Sequence, residues 1–183
     1  MRSIPPHDLI EGAQRGGPVE IERLIEAIWP DAYRLAYAIL GERTGAEDVA
    51  QEACVVAYRT ISSLRSAAAF RVWFYRIVVR RASELKRRRA RGEPIVAEPA
   101  SDADCSDTID IWRALAALPR TLRDVVVLHY FEGLTSREIA SILCAPEGTV
   151  RFRLMIAKRR LRPLLAEDPD TLRSDREVQP NGI

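Results

Sequence analysis

The sequence predicts an all-α protein: two small helical domains joined by an acidic, flexible connector. Three observations carry this expectation. Apolar residues recur at helical spacing along most of the chain. A run with two prolines and only acidic charge, "GEPIVAEPASDADCSD", interrupts them between Gly92 and Asp107. The length of 183 residues suits two domains of below-average size, since domains commonly run about 100–150 residues. The expected division is a first domain at 1–91, a connector at 92–108, a second domain at 109–167 and a flexible tail at 168–183.

The N-terminus, "MRSIPPHDLIEGAQRGG", has no apolar signal core, so a cytoplasmic protein is expected. In "IERLIEAIWP", Ile21, Leu24, Ile25 and Ile28 stand at helical spacing, and Pro30 is expected to end or kink that run. A second helix is expected from Asp31 to Leu40, closed by Gly41. Thr44 and Glu47 have the spacing of a capping box, which starts the next helix near Thr44. After "SSLRSAAA" comes a long amphipathic helix, "FRVWFYRIVVRRASELKRRRAR". Phe70, Trp73, Phe74, Ile77 and Val78 share one stripe of it, while Arg76, Arg80 and Arg87 project elsewhere.

The second half restarts with "TIDIWRALAALP" and "RTLRDVVVLHYFEG", then gives a helix pair. Thr135 and Glu138 form a second capping-box spacing, with Leu134 and Ile139 placed for a hydrophobic staple. Ile139, Ala140 and Leu143 supply the buried side of the first helix, and "CAP" makes the turn, with Pro146 near the start of the next. Val150, Leu154, Ala157 and Leu161 form the inward stripe of that next helix, leaving its other side free. The pattern is a helix-turn-helix.

Charge is strongly segregated although the net charge is only +2. Residues 71–91 hold nine Arg/Lys against the single acid Glu84, and residues 151–162 hold six with no acid. Residues 92–110, between them, hold six acids and no base. Two basic faces around an acidic connector point to a polyanion gripped twice. Cys54, Cys105 and Cys144 are odd in number and far apart, the pattern of free structural thiols. No metal cluster, phosphate loop or nucleophile–base pair stands out, His7 and His129 are isolated, and neither an enzyme nor a cofactor is expected. No apolar run approaches the roughly 20 residues of a membrane span, so no membrane insertion is expected.

Three segments, "LGERTGAEDVAQEACVVAYRTI", "FRVWFYRIVVRRASELKRRRAR" and "ALPRTLRDVVVLHYFEGLTSREIASILCAPEGTVRFRLMIAKRRLRPLL", resemble bacterial sigma factors of the extracytoplasmic-function (ECF) group of the sigma-70 family. The similarity covers roughly residues 20–91 and 109–165, in the family's order. It implies two helical domains, region 2 and region 4, that dock on core RNA polymerase. It further implies that region 2 recognises and melts the promoter's minus-10 element, that region 4 reads the minus-35 element, and that an anti-sigma factor restrains the protein. A stand-alone helix-turn-helix regulator is the alternative; it needs neither the second basic helix nor the acidic face described next.

Asp48, Gln51, Glu52, Val55 and Arg59 share a helix face by the i, i+3, i+4 rule. By the resemblance, Asp48, Gln51 and Glu52 meet the clamp helices of the polymerase β′ subunit, with further contacts to the β subunit. The minus-10 set carried over is Ser62, Ser63 and Arg65 in the specificity loop and Arg76, Arg80, Arg81, Lys86 and Arg87 on the long helix. Trp73 and Phe74 are candidates for base stacking, although their spacing with Phe70 and Ile77 also fits core packing. Arg80 and Glu84 stand where the family usually has Asn and Asp.

The minus-35 set is Thr149, Arg151, Phe152, Arg153, Met155, Ile156, Lys158 and Arg159. Phe152 replaces a small polar residue, and Ile156 stands where a basic one often falls. Three readings of this apolar patch remain open: contact with thymine methyl groups in the major groove, packing of Met155 and Ile156 against the preceding helix, or an anti-sigma contact.

Overall fold

The computed structural model describes residues 5–91 and 114–165. The acidic connector at 92–108, the tail at 168–183 and Cys105 lie outside the described residues. Every regular element described is helical.

The first domain contains α1 (His7–Gln14), α2 (Pro18–Leu40), α3 (Arg43–Thr60) and α4 (Phe70–Ala90), with 3₁₀ turns at Ile61–Ser63 and Ala67–Ala69 before α4. The short helix α1 packs on α2 and buries Ile10 and Ala13; sequence periodicity did not single it out because two turns give too few repeats. The break expected at Pro30 is absent, and α2 runs through it as one helix. Pro30 lies on the exposed side, where water can solvate the carbonyl that loses its partner. On the buried side Leu24, Ile28, Ala32, Leu35, Ala36 and Ile39 make one uninterrupted stripe, and its packing outweighs the local penalty.

Gly41 ends α2 in the left-handed conformation, φ 78°, with its N–H bonded to the Tyr37 carbonyl. That tight reversal starts α3 at Arg43, one residue ahead of the expected cap. Thr44 therefore lies inside the first turn and the Thr44/Glu47 box does not form. Glu47 instead accepts from Arg43 Nε at 2.9 Å. In the same turn, Gly45 sits where a side chain would collide with Glu42, Arg89 and Leu85, which lets α4 approach α3 closely.

The second domain contains a helical stretch at 114–117, then α5 (Arg120–Val126), α6 (Ser136–Leu143) and α7 (Glu147–Leu165). The capping box at Thr135 and Glu138 is present in both directions. Leu134 and Ile139 are both buried beside it. Cys144, φ 50°, turns the chain between α6 and α7. Val150, Leu154 and Ala157 are buried, and Leu161 packs beside the small cluster of Leu115, Leu118, Leu122, Val126 and Ala157.

The two domains pack together. The large apolar cluster runs from Ile28, Phe74 and Val78 of the first domain to Val125, Leu128, Ile139 and Ile142 of the second. Helix α4 lies against α6, and α2 touches α5. This explains why α4 buries Tyr75 and Val79 besides the expected stripe.

Candidate functional site

Helices α3 and α4 enclose an open groove of about 760 Å³ lined by Asp48, Val49, Gln51, Glu52, Val55, Val56, Arg59, Arg81, Glu84, Leu85 and Arg88. Asp48, Gln51, Glu52, Val55 and Arg59 are all exposed, while Ala53 and Ala57 of the same helix are buried. The α3 wall of the groove carries Asp48, Gln51, Glu52 and Arg59, the α4 wall carries Arg81, Glu84 and Arg88, and Val49, Val56 and Leu85 lie among them.

The arginines of α4 divide among three surroundings. Arg80 Nε and Arg81 Nη1 donate to the two oxygens of Glu84 at 3.0 and 2.9 Å. Partial burial works against ionisation of Glu84, but the two guanidiniums outweigh it and hold its pKa below the usual range. Arg81 faces the groove, whereas Arg80 and Arg87 face solvent. Arg76 turns toward the second domain, where it donates to the Ser141 carbonyl at 3.2 Å and to Ser141 Oγ at 2.6 Å. Lys86 is half-buried and donates to the Ile39 carbonyl, with Asp124 of α5 nearby. Burial lowers its pKa.

Before α4, Ser62, Ser63 and Arg65 are exposed, with Ser63 Oγ donating to the Thr60 carbonyl at 2.6 Å. Phe74 is in the core, and Trp73 is half-buried against it and 5.6 Å from the Phe70 ring. Core packing is thus the role the structure gives Phe74.

On α7 the outward face divides. Phe152 is 58% exposed and Met155 48%. Ile156 instead packs against the small cluster of the second domain. Arg151, Lys158 and Arg159 are exposed, and Thr149 and Arg153 half-buried. Arg151 pairs with Glu147 one turn earlier. Arg151, Met155, Lys158 and Arg159 line an open hollow of about 460 Å³ together with His129, Tyr130 and Leu154. The Lys158 ammonium stands 5.6 Å from the centre of the exposed Tyr130 ring, which holds the charge over the hollow.

Two stretches of this sequence match family patterns: residues 24–92 match sigma-70 region 2, and residues 108–161 match sigma-70 region 4. The RNA polymerase sigma-H factor of Pseudomonas aeruginosa is 31% identical over 183 residues, covering 87% of this chain and 95% of that protein. The ECF RNA polymerase sigma-E factor of Haemophilus influenzae is 33% identical over 147 residues, covering 67% of this chain and 78% of that protein. The chain belongs to the ECF group of the sigma-70 family. It is a transcription initiation factor rather than an enzyme, and the full region 2 match sets aside the stand-alone regulator.

Solved structures that share the fold of this sigma factor include the following two. One is the sigma factor RpoE in complex with the anti-sigma factor NepR from Bartonella quintana, at TM-score 0.68 and 22% identity, covering 80% of this chain and 97% of that one. The other is CnrH in complex with the cytosolic domain of CnrY, at TM-score 0.69 and 23% identity, covering 88% and 97%.

Sequence reasoning missed several residues at the sites of this sigma factor. Arg88 joins the groove wall and Tyr130 joins the α7 hollow. Tyr130 carried a usable signal, an aromatic residue just ahead of the helix pair. The largest omission is a polar contact between the domains. Tyr75 Oη donates to Glu132 Oε2 at 2.6 Å, and both residues are buried. A π-helical turn at Val127–Phe131 followed by Gly133, φ 62°, directs Glu132 inward. Burial and then the adjoining carboxylate push the Tyr75 phenol above its usual pKa range. No spacing rule connects positions so far apart.

Proposed function

We propose that this sigma factor docks core RNA polymerase through the α3–α4 groove, with Asp48, Gln51 and Glu52 gripping the β′ clamp helices. The observation that carries this reading is the shared exposure of those residues along one wall of a groove large enough for a helical element. Second contacts go to the β subunit. Region 2 then meets the minus-10 element through Ser62, Ser63, Arg65, Arg76, Arg80, Arg81, Lys86 and Arg87. Opening of the duplex rests on phosphate neutralisation, with the loop before α4 holding an unstacked base.

Region 4 presents α7 to the minus-35 element. Arg151, Arg153, Lys158 and Arg159 supply affinity, Thr149 sits at the helix start, and Phe152 with Met155 offers apolar contact to thymine methyl groups. Ile156 acts from behind, packing α7 onto its domain. The division runs as 1–91 for region 2, 92–108 for the connector and 109–167 for region 4. An anti-sigma factor is the expected inhibitor, in keeping with the neighbour of like fold, the sigma factor RpoE, that was solved in complex with the anti-sigma factor NepR. The protein works on the polymerase in the cytoplasm; no described helix is long and apolar enough to cross a membrane.

Charge reversal tests the docking surface. Asp48→Lys with Glu52→Lys weakens binding to core polymerase while circular dichroism shows the same helix content. Unchanged core affinity in that double variant overturns the assignment.

A further inference from the structure

The loop that precedes α4 is anchored at both ends and bridged in its middle. Ile61 and Ala67 are buried and Leu64 packs half-buried against the large apolar cluster, while Ser62, Ser63, Arg65 and Ser66 face solvent. Each end closes on itself. The Leu64 N–H donates to the Ile61 carbonyl at 3.0 Å, and the Ala69 N–H to the Ser66 carbonyl at 3.0 Å. Between those turns the backbone is extended, with Leu64 at φ −71°, ψ 120° and Ser66 at φ −151°, ψ 130°. A partly buried carbonyl in such a stretch has no helix or sheet ladder to join and takes its donor from elsewhere. Gln14 supplies it: the side-chain Nε2 donates to the Leu64 carbonyl across 50 positions of sequence.

Gln14 is itself held in place. It is the last residue of α1, which packs on α2 and touches both 3₁₀ turns of the loop. Just past it, the Gly16 N–H bonds to the Ala13 carbonyl at 3.0 Å and the Gly17 N–H to the Gly12 carbonyl at 3.1 Å, which reverses the chain directly into α2. A side chain at Gly12 would collide with Glu20, so the first turn of α2 lies close against α1. Two turns of helix are not stable alone. Burial of Ile10 and Ala13, with this closed reversal, fixes the point from which the Gln14 amide reaches the loop.

We propose that Gln14 is a positioning residue for minus-10 recognition: by holding the Leu64 carbonyl from α1, it keeps the loop in the form that receives the unstacked base. The inference rests on the minus-10 role given above for Ser62, Ser63 and Arg65. Gln14 bonds the loop's backbone from the α1 side, so it acts through the aim of those side chains. A loop ordered before binding loses less freedom on binding than one that samples many forms. A hydrogen bond of ordinary strength biases such a loop by roughly twofold to tenfold. The effect falls on base choice, because phosphate contacts by α4 set register and affinity without reading sequence.

Gln14→Leu keeps the side chain's size and removes the donor. Gln14→Arg restores a donor, since the Arg Nε stands the same number of bonds from the backbone as the Gln Nε2. The full chain with core polymerase is assayed by permanganate reactivity on promoters varied base by base across the minus-10 element. Gln14→Leu lowers the preference for the best base at one position by about twofold to tenfold, with core affinity and the salt dependence of opening unchanged. Gln14→Arg regains the preference. A purely structural role weakens core binding, or opening on all promoters alike, and that result overturns the proposal. So does a folded Gln14→Leu with the parent's preference. Should Gln14→Leu fail to fold by circular dichroism, Gln14→Glu, which stays polar but sets an acceptor against the carbonyl, is read by the same outcomes. A loop variant with Ser62, Ser63 and Arg65 all changed to Ala separates the premises. If that variant also keeps the parent's preference, the minus-10 reading of the loop falls and the positioning role with it; if it alone loses the preference, only the role of Gln14 falls.

Discussion

Tyr75 and Glu132, 57 positions apart, share a 2.6 Å hydrogen bond shielded from water between the two domains. Each residue is polar and each is almost fully buried, Glu132 at 3% exposure. Burial of a carboxylate is costly unless donors surround it. The pair is therefore a specific join, since a misaligned second domain would leave Glu132 without the Tyr75 hydroxyl.

The join has a measurable coupling. Denaturant unfolding of Tyr75→Phe, Glu132→Gln and the double variant forms a double-mutant cycle. An interaction of about 1.5–3 kcal/mol is expected, the range for a hydrogen bond to a charged group. Additive effects within about 0.5 kcal/mol would show that the two residues do not act together.

Arg80 and Arg81 are neighbours with different surroundings, so their single variants separate two activities. Arg80→Ala, on the solvent side of α4, slows open-complex formation and flattens its salt dependence by about one counterion. Arg81→Ala, which serves the minus-10 element and also lines the groove, slows open-complex formation and weakens core binding as well. Permanganate reactivity of the melted bases and a core-binding titration read the two effects. Identical phenotypes for the two variants contradict this division of the helix.

Phe152 and Arg151 separate selectivity from affinity on α7. Phe152→Ser relaxes preference at one or two thymine positions of the minus-35 element. Arg151→Ala weakens binding to all sequences, or loses a guanine contact worth roughly 1–3 kcal/mol. A library of minus-35 variants transcribed in vitro measures both. An unchanged preference in Phe152→Ser, with loss of anti-sigma binding, assigns the exposed patch to the inhibitor.

The capping box at Thr135 gives a pH-dependent prediction. Partial burial opposes ionisation of Glu138, but the Thr135 backbone and side-chain hydrogen bonds outweigh it and lower its pKa from the usual 4.5. A carboxylate with a depressed folded pKa adds stability that is complete above the unfolded value and disappears as pH falls through the folded one. Glu138→Gln should therefore lose stability near neutral pH and show a smaller further loss on acidification than the parent. Thr135→Ala costs about 1 kcal/mol, typical of a lost N-cap. Thermal unfolding from pH 7 to pH 3 measures both, and parallel pH curves for Glu138→Gln and the parent refute the assignment.

Much of the local structure was legible in the sequence. The stripe Val150, Leu154 and Ala157, the cap at Thr135, the turn at Gly41 and the exposed face at Asp48, Gln51 and Glu52 all follow from spacings within a few residues. Those spacings are set by helix geometry itself, 3.6 residues per turn, and need no tertiary information. The cap at Thr44 and the break at Pro30 were misread for a common reason. Each is a local preference of about 1–3 kcal/mol, and packing of the first domain's helices overrides it.

What the sequence by itself determined is the helical content, the two basic surfaces and the helix-turn-helix, because these are written in short-range periodicity and charge, together with the family, through the resemblance of three segments in order. Only the tertiary structure decided which side of α4 each arginine serves, that Ile156 packs while Phe152 stays exposed, and that Tyr75 meets Glu132. These outcomes depend on which surfaces of two separate domains come into contact. That contact is fixed by burial and hydrogen bonding between residues distant in the chain, and no local period encodes it.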